Sequence, residues 1–108
     1  MTIPAEILDD LPTPCLIVDA QAADRNIQRA AACVRDRDVR LRPHFKAHKC
    51  TTLMRRQLAA PGCEGVTCQT SWEAFTLARA GFGDILVAAR SWTLMLVRSW
   101  LPQPTLPR

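Results

Sequence analysis

The sequence contains neither a GxGxxG loop nor a GxxxxGK followed by Ser or Thr, so nucleotide binding through either Gly-rich loop has no support. It also lacks a CxxC pair. Its five cysteines, Cys15, Cys33, Cys50, Cys63 and Cys68, are odd in number, which argues against a disulfide framework. They read as reduced thiols of a cytoplasmic protein, several of them buried as small hydrophobes. The first residues, Met1-Thr-Ile-Pro-Ala-Glu6, carry no basic stretch and no long apolar run, so no secretory signal is expected in them. No apolar run is long enough to cross a bilayer. Trp92-Thr-Leu-Met-Leu-Val97 ends at Arg98, so no membrane partner is expected. One-sided charge is scarce too: 14 basic residues against 10 acidic leave +4, compatible with an anionic ligand but too little to argue for nucleic acid. With 108 residues, 48% hydrophobic and 22% charged, and only 4 Gly beside 8 Pro, disorder and collagen are poor readings. That length holds one domain. A closed eight-stranded β/α barrel needs roughly 200 residues or more and does not fit.

What is present is a repeating rhythm. Cys15-Leu-Ile-Val18 is an unbroken apolar run between Pro14 and Asp19, as in a strand covered on both faces. Asp19 can cap a helix in which Ala23, Ile27, Ala30, Ala31 and Val34 recur at helical spacing. The pattern predicts a second strand at Val39 to Lys46 and a second helix from Thr51 to Ala60, stopped by Pro61-Gly62. A third strand follows at Gly65 to Gln69. Thr70-x-x-Glu73 is a capping-box pattern opening a third helix, with Trp72, Phe75 and Ala78 on one side and Gly81 as its stop. Ile85-Leu-Val-Ala88 is a fourth buried strand. The fold class is therefore α/β, built of parallel β/α units. The rhythm breaks after Ala88. Residues 1–88 form the β/α region, and 89–108, with three closely spaced prolines, are expected to be a divergent, extended tail.

The second strand carries the chemistry. Val39, Leu41, Pro43 and Phe45 fall on one face; Arg40, Arg42, His44 and Lys46 fall on the other. Two readings are open. The basic face belongs to an edge strand and meets water, or it lines a polar cavity with Lys46 near the carboxyl end of the strand, where parallel α/β folds place their active sites. A desolvated lysine there would attack a carbonyl as the neutral amine. His44, His48 and Cys50 as metal ligands is the weaker reading, because the two histidines lie on different elements and no second ligand cluster completes a site. No metal is assigned to them. Nucleic acid is not expected as a partner, since the basic strand lacks interleaved aromatics.

Arg42-Pro-His-Phe-Lys-Ala-His-Lys49 resembles the Arg-x-His-x-Lys-x-His-Lys stretch of the D-threonine aldolase and D-serine dehydratase family, pyridoxal-phosphate enzymes with an alanine racemase-like, TIM-type barrel. Thr13-Pro14, Asp19, Arg25-Asn26-Ile27, Thr67-Cys68-Gln69-Thr70, Glu73-Ala74, Gly81 and Asp84-Ile-Leu-Val87 agree in order, from Leu11 to Ala88. The resemblance implies the first half of such a barrel, incomplete. It makes Lys46 the catalytic lysine that holds pyridoxal 5'-phosphate, with His44 beside the cofactor and Arg42 deeper in the barrel. It implies small D-amino acids as substrates. The aldolases split a 3-hydroxy-D-amino acid to glycine and an aldehyde, and the Thr67–Thr70 and Asp84–Val87 segments look closest to them. A dehydratase, a racemase, or a non-catalytic pyridoxal-phosphate-binding fragment are the alternatives. Ala89-Arg90-Ser91-Trp92 departs from the family pattern, which commonly continues with asparagine and a further helix. The resemblance also implies a divalent metal whose ligands lie on a carboxy-terminal domain not found in these residues. A truncated chain of this kind is expected to be a poor enzyme alone and to form a homo-oligomer or self-associate through an open sheet edge.

Overall fold

The computed structural model describes residues 3–88; the tail expected at 89–108 lies outside the described residues. A short helix, α1 (Ala5–Asp9), precedes α2 (Ala20–Ala32). Asp19 caps α2 by accepting the Ala22 N–H at 2.9 Å, as its position before the helical pattern predicts. The chain then passes through an extended stretch and a 3₁₀ turn at Phe45–Ala47 into α3 (Thr51–Leu58), β1 (Val66–Cys68), α4 (Ser71–Arg79) and β2 (Ile85–Val87). β1 and β2 pair in parallel, with Thr67 opposite Leu86. The stretch before the 3₁₀ turn adds a third parallel segment through two bridges, Leu41 to Cys63 and His44 to Thr67.

The α/β class and the parallel direction agree with the sequence pattern, as do three helices and two strands. Three expectations need correction. Cys15–Val18 is not a strand: it joins no ladder, and Leu16 is 97% exposed. An apolar run becomes a buried strand only where neighbours supply ladder partners and cover, and among the described residues none does. Val39–Lys46 is not one continuous strand either; its pairing is two isolated bridges, and it gives way to the 3₁₀ turn after His44. The layer therefore has three segments rather than four strands. Finally, Ile85–Val87 is a strand but not a buried one, with Leu86 about half exposed. α4 leaves Trp72 70% exposed, stacked at 5.6 Å on half-buried Phe75. Its inward face is Ala74 and Leu77.

The core lies between the layer and the helices: Phe45, Met54, Val66, Cys68, Ala74, Leu77 and Phe82. Burying side chains such as Met54 and Leu77 contributes roughly 1.5–3 kcal/mol each. Because strand side chains alternate, Val66 and Cys68 face this core while Thr67 faces away from it. Register then places His44, Thr67 and Leu86 in one row on the face opposite the helices. Leu86 is about half exposed there. Of the cysteines only Cys68 is buried; Cys15 and Cys33 are exposed, and all five are free thiols.

Candidate functional site

Parallel pairing puts the carboxyl ends of all three segments on one edge, and the residues that follow them form the candidate site. Pro43 and Phe45 point into the core, so Arg42 and His44 point to the opposite face. The alternation read from the sequence holds through His44. The chain then turns tightly. His44 is the N-cap of the 3₁₀ turn, and its Nδ1 accepts the Lys46 N–H at 3.2 Å. A nitrogen that accepts an N–H carries no proton, so the neutral imidazole of His44 bears its proton on Nε2. Lys46 is exposed just past the end of the segment, and its amino group meets no partner among the described residues.

The structure thus brings His44 and Lys46 together and gives Arg42 a different task. The Arg42 guanidinium bonds Asp84 through both nitrogens, Nη1 to Oδ1 at 2.8 Å and Nη2 to Oδ2 at 2.9 Å. These bonds hold the Asp84 carboxyl below the usual aspartate range and push Arg42 further up. Asp84 immediately precedes β2, so the pair ties the first segment to the third across β1 near its amino end. Gly65 makes that crossing possible: a Cβ there would overlap both charged groups. Arg40 is also engaged, 4.0 Å from Glu64 in an exposed pair. The basic face is therefore half ion-paired, and Lys46 stands apart from it at the edge.

The second lysine is anchored. Lys49 Nζ lies 3.3 Å from Glu73 Oε1, while Glu73 Oε2 accepts N–H bonds from Gln69 at 2.7 Å and Thr70 at 3.4 Å. The predicted capping box is present, with Thr70 Oγ1 accepting the Glu73 N–H. Burial alone would push the Glu73 carboxyl up; the two amides and the Lys49 ammonium outweigh it and hold the group below the usual glutamate range. A carboxyl lowered on folding stabilises the native state fully above the ordinary glutamate value, and this contribution disappears as pH falls through the lower native value. Acid denaturation should therefore begin below about pH 4.5. Urea melts across that range should show Glu73→Gln flattening the decline, because the amide cannot ionise.

His48 is structural in the same manner. Its Nδ1 accepts the Cys50 N–H at 3.0 Å, which leaves Nε2 to donate to Gln57 Oε1, also at 3.0 Å. Among the described residues no group of three or more His, Cys, Asp or Glu is placed to hold a metal ion. Sequence reasoning missed the roles of Asp84, Gly65 and Lys49. The capping pattern at Thr70 and Glu73 pointed to Glu73, but nothing local pointed to its lysine partner.

No protein-family model matches the chain. Curated relatives do. A D-threonine aldolase of an Arthrobacter species is 39% identical over 85 residues, which cover 79% of this chain and 22% of that protein. A 3-hydroxy-D-aspartate aldolase of Paracoccus denitrificans is 38% identical, and a D-threo-3-hydroxyaspartate dehydratase of a Delftia species 40% identical, each over 78 residues that cover 72% of this chain and 20% of the relative. Two solved structures superpose. The D-threonine aldolase of Filomicrobium marinum matches with a TM-score of 0.74 at 36% identity, over 87% of this chain and 27% of that one. A D-threo-3-hydroxyaspartate dehydratase in its metal-free form matches with a TM-score of 0.73 at 35% identity, over 83% and 25%. The chain is a homologue of the D-threonine aldolases and the 3-hydroxyaspartate aldolases and dehydratases, and it spans about a fifth of the length of the curated relatives it matches.

Proposed function

We propose that this chain carries the cofactor-lysine portion of a pyridoxal-phosphate-dependent D-amino-acid enzyme, of the aldolase kind that splits 3-hydroxy-D-amino acids into glycine and an aldehyde. The observation that carries the reading is the placement of Lys46: an exposed amine without a described partner, at the carboxyl edge of parallel segments, on a turn whose Lys46 backbone N–H is held by the His44 imidazole. Lys46 and His44 fit pyridoxal phosphate, the lysine as covalent holder through its amino group and the histidine as a fixed Nε2–H donor at the cofactor's side. Asp84 engages two of the five N–H donors of Arg42, one on each terminal nitrogen. Arg42 acts as the brace of the segment that presents the other two. Pyridoxal phosphate, when bound, supplies the electron sink for bond cleavage at the α-carbon. The divalent metal that the resemblance implies finds no ligand group among residues 3–88, and no step here depends on it.

In this reading the three-segment layer is part of a barrel wall, with the row His44, Thr67 and Leu86 on the inner face. A dehydratase that removes the 3-hydroxyl is the second reading, favoured by the relative of that name, which is as similar as the aldolases. A reducing, cytoplasmic setting suits five free thiols. With Leu16 almost fully exposed and Leu86 half exposed, these 108 residues should self-associate, and no membrane or nucleic-acid partner is proposed.

The test is a pair of assays on the 108-residue chain. Titration with pyridoxal phosphate should give a saturable absorbance change. D-threonine cleavage, with cofactor and a divalent cation added, should stay at the rate of free cofactor. Absence of saturable binding would remove the functional reading; cleavage well above the free-cofactor rate would show that these residues suffice for catalysis.

A further inference from the structure

We propose that Glu73 and Lys49 form a positioning clamp, which ties the turn bearing Lys46 to the loop after β1 and leaves Lys46 as the one lysine available to a carbonyl ligand. The task of Lys46 rests on the function proposed above; the clamp itself rests on contacts within this chain. Glu73 is the one buried charged residue among those described, at 7% exposure. A capping glutamate needs only its own helix end, whereas this carboxylate serves two loops. Oε2 takes the Gln69 and Thr70 amides that follow β1, and Oε1 takes the ammonium of Lys49.

Lys49 also closes the Lys46 turn from the other side. Its N–H donates to the Phe45 carbonyl at 2.9 Å, beside the His48 N–H at 3.3 Å. Its backbone is left-handed, with φ of 50°, a conformation that costs a non-glycine residue free energy unless its surroundings hold it there. Lys46 is thus bracketed by the His44 imidazole before it and by the anchored Lys49 after it. The two lysines of the chain stand three residues apart and have opposite assignments. Both side chains are exposed, but the Lys49 amine is paired with a buried carboxylate and the Lys46 amine has no described partner.

Amide hydrogen exchange, read without cofactor on the unsubstituted chain and on Glu73→Gln, Lys49→Gly and Lys49→Arg, tests the clamp independently of the cofactor assignment. Glycine keeps the left-handed backbone and removes the ammonium; arginine keeps a cation. Glu73→Gln and Lys49→Gly should each speed exchange at the backbone amides of positions 48 and 49 by about threefold or more, and Lys49→Arg should restore most of the protection. Pyridoxal-phosphate affinity should fall in the first two variants and recover in the third. If Glu73→Gln speeds exchange only at Gln69 and Thr70, Glu73 is an ordinary cap and the clamp is overturned. Unchanged exchange in Lys49→Gly overturns it as well. Where exchange behaves as predicted but the unsubstituted chain binds no cofactor, the clamp stands and the functional reading falls.

Discussion

Lys46→Ala is expected to remove nearly all borohydride-stable pyridoxal label from the chain, a loss of about tenfold or more if this amine is the nucleophile that holds the cofactor. The unfolding midpoint should barely move. The side chain is exposed and makes no described contact, and such surface substitutions usually fall within about 0.5 kcal/mol of the parent. Lys46 contributes its backbone N–H to the His44 cap, and alanine keeps that bond. Lys49→Ala should differ: at saturating cofactor most of the label remains on Lys46, although affinity falls because the turn loses its tether to Glu73. Equal losses from the two substitutions would mean that label follows amine count rather than placement. The pair of variants therefore separates a site from a surface.

Gly65→Ala should be the most damaging single substitution near the site. The backbone there is left-handed, with φ of 58°, and imposing that conformation on alanine costs roughly 1–3 kcal/mol. The added Cβ would also overlap the Arg42 guanidinium and the Asp84 carboxylate, so the bidentate pair must shift or break. The two costs can be parted by double-mutant analysis in urea. In an Arg42→Ala background the overlap with the guanidinium is gone, and Gly65→Ala should then be less destabilising than in the parent chain. A Gly65→Ala effect below about 0.5 kcal/mol would show that neither the backbone nor the crossing matters. Breaking the crossing should also weaken cofactor binding, because Arg42 braces the segment that ends at His44 and Lys46.

Local signals in this sequence translate well into structure. Asp19 before a helical repeat, Thr70 three residues ahead of Glu73, and Gly81 at a helix end each act within a few residues, and each does what the spacing predicts. Alternation along 39–46 likewise sorted Pro43 and Phe45 from Arg42 and His44 correctly. It failed at Lys46, since the strand gives way after His44 to the 3₁₀ turn that the imidazole caps. What depends on distant partners was not legible. Whether Cys15–Val18 becomes a strand is decided by neighbours that pair with it, not by its own apolar run. Arg42 and Asp84 are 42 residues apart, and only the parallel register brings them together over a glycine. Lys49 is similar: its role comes from a carboxylate on a later helix, which nothing in the motif that contains it signals.

The function proposed for this chain turns on the placement of Lys46, and a single peptide map puts that placement to the test. The unsubstituted chain is equilibrated with substoichiometric pyridoxal phosphate, reduced with borohydride, digested and read by mass. Label should concentrate on Lys46, with Lys49 and the N-terminal amine near background. Label divided evenly among the three amines would mean that Lys46 holds no privileged position.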